Sequence, residues 1–357
     1  MSLLPDAAAF RRLVDGSARG PAAVAARGCL AALAAPYAVA VAARNAAYDA
    51  GLFPVHRASL PVISIGNLTL GGTGKTPLVA WTVRLLAAAG RRPAIVSRGY
   101  GAAAGATSDE AAELGLLVPG VPHVADRDRV AAVGRAAAAD ADCAVLDDGF
   151  QHRRLGRDLD IVAIDATDPF GCGRIFPRGL LREPLAGLGR ADAVVLTRAA
   201  AVDAERRHEI RAALAAARRT ERPVVWAESE HAPVSLRRWT AGPLPLDSLR
   251  GRRVLAFAAI GNPAAFGATL AGLGADVVDF RAFADHHAYG PADLAALAAR
   301  AAAEQADLVV TTLKDLVKVR RDDLGGVPLA AVEIAIHLTS GEAELAALIR
   351  DAAARRG

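Results

Sequence analysis

The sequence is poor in lysine, cysteine and aromatic residues. Lysine occurs only at Lys75, Lys314 and Lys318, although lysine and arginine together number 42. The 3 cysteines have no Cys-x-x-Cys spacing, so the sequence predicts neither a disulfide framework nor a cysteine-based zinc site. We therefore expect the protein to reside in a reducing compartment. Arginine supplies nearly all of its positive charge.

A strong charge imbalance is also absent. Hydrophobic residues make up 53% of the 357 residues and charged residues 22%, which excludes a disordered chain. The net charge of +4 suits an anionic substrate or an anionic membrane surface. We expect no nucleic acid partner. The length is sufficient for one large domain or two medium ones, each with its own core.

The N-terminal region contains a charge-free run from 28 to 43, bracketed by Arg27 and Arg44. The run is shorter than the roughly 20 residues that a membrane-spanning helix needs, and Pro36 interrupts it. Further arginines flank both ends. This pattern predicts a helix that rests in the membrane interface, and the alternative is a helix packed on the protein's own core. We see no cleavable signal peptide at the start of the sequence.

From Leu60 onward, short apolar runs alternate with alanine-rich helical stretches, which is typical of βαβ units and a parallel sheet. The predicted strands of a first series are 61–65, 93–97, 143–147, 160–164, 193–197 and 223–227. A second series follows a polar, proline-bearing stretch, and its strands are 253–261, 275–280, 307–312 and 328–334.

The stretch GNLTLGGTGKTP at 66–77 is close to the P-loop pattern G-x-x-x-x-G-K-[ST]. It follows a predicted strand and precedes a predicted helix that ends at Gly90, and amides at such a helix start bind phosphate. One of the few lysines occupies the P-loop position. The pattern predicts that Lys75 neutralises the β- and γ-phosphates of a nucleotide and that the Thr76 hydroxyl holds Mg²⁺. The residues predicted to bind the nucleotide are Thr69, Gly71, Gly72, Thr73, Gly74, Lys75 and Thr76.

Two adjacent carboxylates, Asp147 and Asp148, follow the apolar run 143–146. Adjacent carboxylates repel one another, and a bound cation relieves that repulsion. We predict that this pair lies beside the metal ion near Thr76. The alternative is a plain Asp-Asp-Gly turn.

These patterns predict an α/β fold with a P-loop NTPase-like parallel sheet core, a second, smaller α/β lobe and an N-terminal membrane-interface helix. Four parts are expected in the chain. They are a membrane-associated helical segment at 1–58, the P-loop core at 59–228, a linker or hinge at 229–249 and the smaller lobe at 250–357.

Five motifs in chain order resemble the tetraacyldisaccharide 4′-kinase family, the lipid A 4′-kinases of Gram-negative bacteria. The motifs are GNLTLGGTGKTP at 66–77, SRGYG at 97–101, DDGFQHRRLGRDLDIV at 147–162, FGCGRIFPRGLLREPL at 170–185 and ADHHAYG at 284–290. The resemblance implies transfer of the ATP γ-phosphoryl group, with Mg²⁺, to the 4′-hydroxyl of tetraacyldisaccharide 1-phosphate, which gives lipid IVA. It also implies a location at the cytoplasmic face of the inner membrane.

The resemblance further implies roles for individual residues. Asp109 would be the base that takes the proton of the sugar hydroxyl, and His286 would hydrogen-bond that base. The expected catalytic residues are Asp109, His286, Lys75 and Asp148, and the expected metal ligands are Thr76, Asp147 and Asp148. The expected substrate-binding residues are Arg98, Tyr100, Glu110, Arg129 and Gln151.

Several of these assignments have alternatives in the sequence. Arg127 fits the phosphate-facing position as well as Arg129 does. Without the resemblance, residues 107–110 are a helix start with a capping box. The arginines at 174, 178 and 182 are either an exposed basic loop or contacts to phosphate and head groups.

The sequence departs from the family pattern at two positions. Cys172 stands where the family usually has asparagine, which puts a role for that side chain in doubt. Leu313 stands where the family usually has glutamate, so we assign no chemistry to position 313.

A deviant P-loop ATPase, acting as a membrane-associated nucleotide switch, is the alternative function. Its K-G-G-x-G-K-T loop resembles LGGTGKT at 70–76. The signature lysine of that class would fall at position 70, and Leu70 cannot replace it. The sequence therefore favours the kinase.

Overall fold

The computed structural model describes residues 7–99, 108–285 and 287–355. The chain folds into two compact units. The described part of the first unit comprises 7–99, 114–231 and 336–355, and that of the second comprises 108–113, 232–285 and 287–335.

Helices and strands alternate along most of the chain. The helices are α1 (Ala7–Val14), α2 (Pro21–Asp49), α3 (Lys75–Ala88), α4 (Asp109–Leu117), α5 (Arg129–Ala138), α6 (Ala204–Ala217), α7 (Pro263–Gly272), α8 (Pro291–Ala303), α9 (Leu313–Val319) and α10 (Glu342–Ala354). The strands are β1 (Val62–Asn67), β2 (Pro93–Ser97), β3 (His123–Ala125), β4 (Cys143–Asp147), β5 (Leu159–Asp165), β6 (Ala193–Thr197), β7 (Val225–Arg237), β8 (Arg253–Ala258), β9 (Asp276–Ala282), β10 (Leu308–Thr312), β11 (Asp323–Leu324) and β12 (Val327–Ser340).

The first unit contains a parallel sheet with the strand order β3-β2-β4-β1-β5-β6-β7. Every residue of β1, β2, β4 and β6 is buried, as expected for strands that are covered on both faces. Leu68, Phe150 and Leu196 lie in one core cluster of this unit, and Val62 and Leu146 lie in another. The P-loop strand β1 is therefore central, with β4 on one side and β5 on the other.

The second unit contains parallel strands in the order β12-β10-β8-β9, and β11 pairs antiparallel with β12. Leu236, Val254, Leu270 and Val310 belong to its core. The chain enters this unit within β7 and leaves it within β12.

Strand β7 continues to Arg237, into the segment that we expected to be a linker. The polar residues of the strand beyond His231 have a partner, since Ser235 Oγ and the Arg237 guanidinium both donate to the Glu333 carboxylate, at 3.0 and 2.7 Å. Helix α10 contacts α3 and β1, so the end of the chain belongs to the first unit. The four-part domain division remains a prediction.

The N-terminal helix α2 is longer than the charge-free run suggested. It has 29 residues, about 43 Å at the usual helical rise, and Pro36 lies inside it rather than ending it. Its length and composition are sufficient for a membrane span. Leu33 and Val39 are 61% and 69% exposed.

The C-terminal half of α2 also contacts the rest of the first unit through polar groups. Tyr37 Oη donates to the carbonyl of Arg182 at 3.0 Å, and Asn45 Nδ2 donates to Glu183 Oε2 at 3.0 Å. Asp49 pairs with Arg153 at 2.6 Å. The helix therefore has both an exposed apolar surface and a side bound to the rest of the first unit, and its place in the membrane interface remains a prediction.

Candidate nucleotide and acceptor site

The phosphate loop joins the end of β1 to the start of α3. Gly71 and Gly74 have φ values of 111° and 77°, in the region that favours glycine. At Gly74 the space is restricted as well, because an added Cβ would collide with Cε1 of His231. Only glycine fits at this position without displacement of the histidine.

Asn67, the last residue of β1, holds the P-loop lysine. Its Oδ1 accepts a hydrogen bond from Lys75 Nζ at 2.9 Å, and its Nδ2 donates to the carbonyl of Thr69 at 2.6 Å. Thr69, which replaces the first glycine of the pattern, is buried and forms a bridge with Leu181. The segment that contains Leu181 thus holds the start of the loop in an extended conformation. The β-branched side chain of Thr69 is compatible with that conformation.

Asp148 combines a special backbone conformation with two cationic partners. Its φ is 56°, and its carboxylate pairs with Lys75 Nζ at 3.3 Å and with Arg182 Nη1 at 2.6 Å. Burial opposes its ionisation, but Lys75 and Arg182 outweigh burial and lower the pKa of Asp148 to about 2. This carboxylate is therefore ionised at neutral pH.

Arg129 lies beside this carboxylate. It is the first residue of α5, whose N-cap is Asp128, and its Nη2 donates to the carbonyl of Asp148 at 3.3 Å. Arg129 is 5% exposed, whereas Arg127 is an exposed residue. Burial therefore favours Arg129 over Arg127 for the position facing phosphate.

Gln151 connects the end of β1 to a buried carboxylate. Its Nε2 donates to the carbonyl of Asn67 at 2.8 Å and to Glu183 Oε1 at 3.0 Å. Glu183 is 1% exposed and also pairs with Arg190 at 2.8 Å. The amide of Gln151 thus braces the strand that bears Asn67, and its role in substrate binding remains a prediction.

The other predicted residues of the first unit lie at the expected ends of elements. Thr76 is the second residue of α3, and Asp147 is the last residue of β4 and is buried. Arg98 follows β2, is exposed, and contributes to the electrostatic environment of Arg129. Tyr100 lies outside the described residues.

Three further residues support the phosphate loop, two at the end of β6 and one within β7, and the motifs of the sequence did not indicate them. Thr197 Oγ1 donates to the carbonyl of Thr73 at 2.8 Å, and Arg198 Nη2 donates to the carbonyl of Gly72 at 3.0 Å. Arg198 also pairs with Asp165. The third residue, His231, packs against Gly74.

The imidazole of His231 is held in its neutral form. Burial, and then the nearby Arg198, lower its pKa to about 4, against the opposing effect of Asp165. Its Nε2 is buried and has no hydrogen-bond partner among the described residues. The sequence gives no sign that these residues contact the loop. Thr197, Arg198 and His231 all follow it by more than 120 positions.

Asp109 and Glu110 belong to the second unit. They begin α4, where the Ser108 hydroxyl accepts a hydrogen bond from the amide of Ala111 at 3.3 Å. The capped helix start and the proposed base are therefore compatible assignments for the same segment. His286 lies outside the described residues.

Asp109 lines a pocket of the second unit together with residues from three other segments. The lining residues are Asp109, Glu110, Glu113, Ala259, Asp285, Lys314 and Lys318. Asp109 is about half exposed, and its Oδ2 lies 3.9 Å from Lys318 Nζ.

The residues of the first unit fit a nucleotide with Mg²⁺. The Thr73 hydroxyl is buried and has no hydrogen-bond partner among the described residues, so it is available to a ligand of the loop. Mg²⁺ prefers oxygen ligands and is usually held by one or two carboxylates together with substrate phosphates. Thr76, Asp147 and Asp148 supply such oxygens. In the described part of the chain, no group of three or more His, Cys, Asp and Glu forms a complete metal cage.

Comparison with known proteins identifies the family. The sequence profile of the tetraacyldisaccharide-1-P 4′-kinase family matches residues 26–354. The chain belongs to this family. A tetraacyldisaccharide 4′-kinase of Anaeromyxobacter sp. (strain Fw109-5) is 45% identical over 337 residues, which cover 88% of each chain. Another, from Geobacter metallireducens, is 43% identical and covers 81% of this chain and 87% of the relative.

A solved structure of the same family also matches. It is LpxK from Aquifex aeolicus in complex with ATP, which is 30% identical with a TM-score of 0.73 and covers 91% of this chain and 99% of that one. The resemblance and the fold class drawn from the sequence are thereby confirmed.

Proposed function

We propose that this protein transfers the γ-phosphoryl group of ATP to the 4′-hydroxyl of tetraacyldisaccharide 1-phosphate, which gives lipid IVA. The observation that supports this most directly is the P-loop lysine, which is fixed between Asn67 and an ionised Asp148 in a chain of the 4′-kinase family. The family's named reaction needs a triphosphate site of this kind.

The first unit would bind the donor. The amides at the start of α3 and the ammonium of Lys75 would bind the phosphates, and phosphate oxygens would compete with Asp148 for Lys75. Thr76, Asp147 and Asp148 would hold Mg²⁺, which neutralises charge on the transferred group. Arg129 and Arg182 both contact Asp148 and add positive charge there, where charge compensation favours transfer.

Asp109 would accept the proton of the sugar hydroxyl, and His286 would orient it. A carboxylate of about half exposure at a helix start is accessible to a substrate hydroxyl. We further propose that Arg98, Tyr100, Glu110 and Gln151 contact the substrate.

We also propose that the protein acts at the cytoplasmic face of the inner membrane, with α2 in the membrane interface. Arg27 of α2 bonds to the carbonyls of Leu13 and Ala18 in the preceding segment, and the first hydrogen bond along the described helix to the sheet-bearing core is at Tyr37. The stretch from Pro21 to Pro36 is therefore about 24 Å long, shorter than the roughly 30 Å hydrocarbon core. A lipid substrate would be reached from this position.

The test is product analysis with ATP, Mg²⁺ and tetraacyldisaccharide 1-phosphate. We expect mass spectrometry to find one added phosphate, and phosphorus NMR to place it on the 4′-oxygen. An acceptor with a blocked 4′-hydroxyl is the control and should give no product. Release of inorganic phosphate at the same rate with and without the lipid would contradict the proposal and favour a nucleotide switch.

A further inference from the structure

Two of the three lysines in this arginine-rich chain line the pocket that contains Asp109. The third is the P-loop lysine. Lys314 and Lys318 lie one turn apart on α9, next to Asp109 on the wall of the same pocket.

Lys318 is the one that approaches Asp109. Its side chain is 9% exposed, and its Nζ lies 3.5 Å from Asp315 Oδ1 and 3.9 Å from Asp109 Oδ2. A buried ammonium ion is costly unless carboxylates compensate it. Lys318 is thus held between a carboxylate on its own helix and the carboxylate proposed as the base.

Asp315 has hydrogen bonds beyond the one that its Oδ1 accepts from Lys318. It is fully buried, and its Oδ2 accepts from the Thr312 hydroxyl at 2.6 Å and from the amide of Ala259 at 3.1 Å. Asp109, in contrast, is 48% exposed at the first turn of α4. A carboxylate in that position samples several rotamers unless a neighbour restricts it. The described cation closest to its oxygens is Lys318.

We propose that Lys318 is a positioning residue for the phosphoryl transfer. Its ammonium, fixed by Asp315, orients the Asp109 carboxylate toward the acceptor hydroxyl. This inference rests on the proposed function and adds a residue that acts through the base rather than on the substrate.

The experiment measures kcat and KM for ATP of the full-length enzyme with tetraacyldisaccharide 1-phosphate. Lys318→Met should lower kcat by about ten- to a hundredfold, because misplacement of a catalytic group has effects of this size, with KM for ATP unchanged. Lys318→Arg, which retains the charge, should recover most of the rate. The matched control is Arg321→Met, which removes an exposed cation near the end of α9 and should leave kcat unchanged.

A double-mutant cycle separates positioning from a structural role. In an Asp109→Asn background, Lys318→Met should change kcat less than twofold, because the group through which it acts is already lost. Thermal unfolding establishes that each variant is folded, and Lys318→Gln replaces the methionine variant if that one unfolds.

Either of two results would overturn the inference. One is an unchanged kcat in folded Lys318→Met or Lys318→Gln, and the other is equal rate losses in the wild-type and Asp109→Asn backgrounds. If the wild-type enzyme itself transfers no phosphate to the lipid, the proposed function fails and the inference fails with it.

Discussion

At the scale of single residues, Gly74 is the most restricted position of the phosphate loop. Its φ of 77° strains any side chain, and His231 occupies the place of a Cβ. Gly74→Ala should therefore displace either the loop or the histidine. We expect the Kd for ATP, measured by calorimetry, to rise more than about tenfold, which corresponds to roughly 1.4 kcal/mol.

Gly90→Ala is the matched control for this variant. Gly90 has a φ of 78°, but an added Cβ there would meet nothing within 4 Å. It reproduces the backbone strain without the collision, so its Kd for ATP should match that of the wild type. Equal Kd values for the two variants would show that contact with His231 is irrelevant.

His231 also predicts a pH dependence of stability. Its pKa is about 4 in the fold and 6.5 in the unfolded chain, so between these values the unfolded chain binds more protons. The free energy of unfolding should fall by about 2 kcal/mol between pH 7 and pH 5 from this group. Urea denaturation of the wild type and of His231→Gln measures the difference, which should disappear in the variant. Parallel losses in both proteins would exclude His231 as the source.

Asp109 is the residue to which we assign the proton transfer. Asp109→Ala should reduce kcat by about two to four orders of magnitude, as loss of a general base does, while the Kd for ATP stays nearly unchanged. Stopped-flow turnover and calorimetry provide the two values. If ATP binding is lost together with turnover, Asp109 serves the metal or the fold instead.

At the scale of elements, the strands that are buried throughout could be predicted, since their continuous apolar runs leave few alternatives. The sequence prediction and the structure agree on 93–97, 143–147 and 193–197. The short edge strand β3 and the far half of β7 could not be predicted. Their half-exposed polar residues resemble loops until a partner such as Glu333 is known.

The phosphate loop is a local motif and could be predicted in the same way. Its supporting contacts could not be predicted, because His231 and Arg198 reach the loop only through the order of the strands.

Cys172 could be predicted in part, since the sequence shows the departure from the family pattern but not its structural reason. Its φ of 60° is left-handed, a region that asparagine tolerates well, so the family's usual asparagine has a conformational reason that the sequence alone does not reveal.

The apolar surface of α2 gives a prediction for the whole element. Val24→Glu combined with Leu33→Glu, both 61% exposed within the stretch Pro21–Pro36, should weaken binding to phosphatidylglycerol vesicles about a hundredfold, because two apolar contacts are replaced by charges. Vesicle co-sedimentation measures this effect, and the Kd for ATP should not change. Val234→Glu alters an exposed apolar residue of the second unit and is the control. Unchanged vesicle binding by the double variant would contradict an interfacial α2.

At the scale of the whole molecule, the two units divide the proposed chemistry. The first unit has the P-loop, the acidic pair and α2, and the second has Asp109 with Lys318. A protein organised in this way should consume ATP only when the lipid acceptor is present, because each unit supplies one part of the reaction.

The most direct test of the kinase assignment is the transfer of label from γ-³²P-ATP to tetraacyldisaccharide 1-phosphate by the wild type and by Lys75→Ala. We expect a labelled lipid with the wild type and a loss of at least about a thousandfold with Lys75→Ala, which lacks the ammonium proposed to bind the phosphates. Full activity of Lys75→Ala, or ATP consumption by the wild type without any labelled lipid, would contradict it.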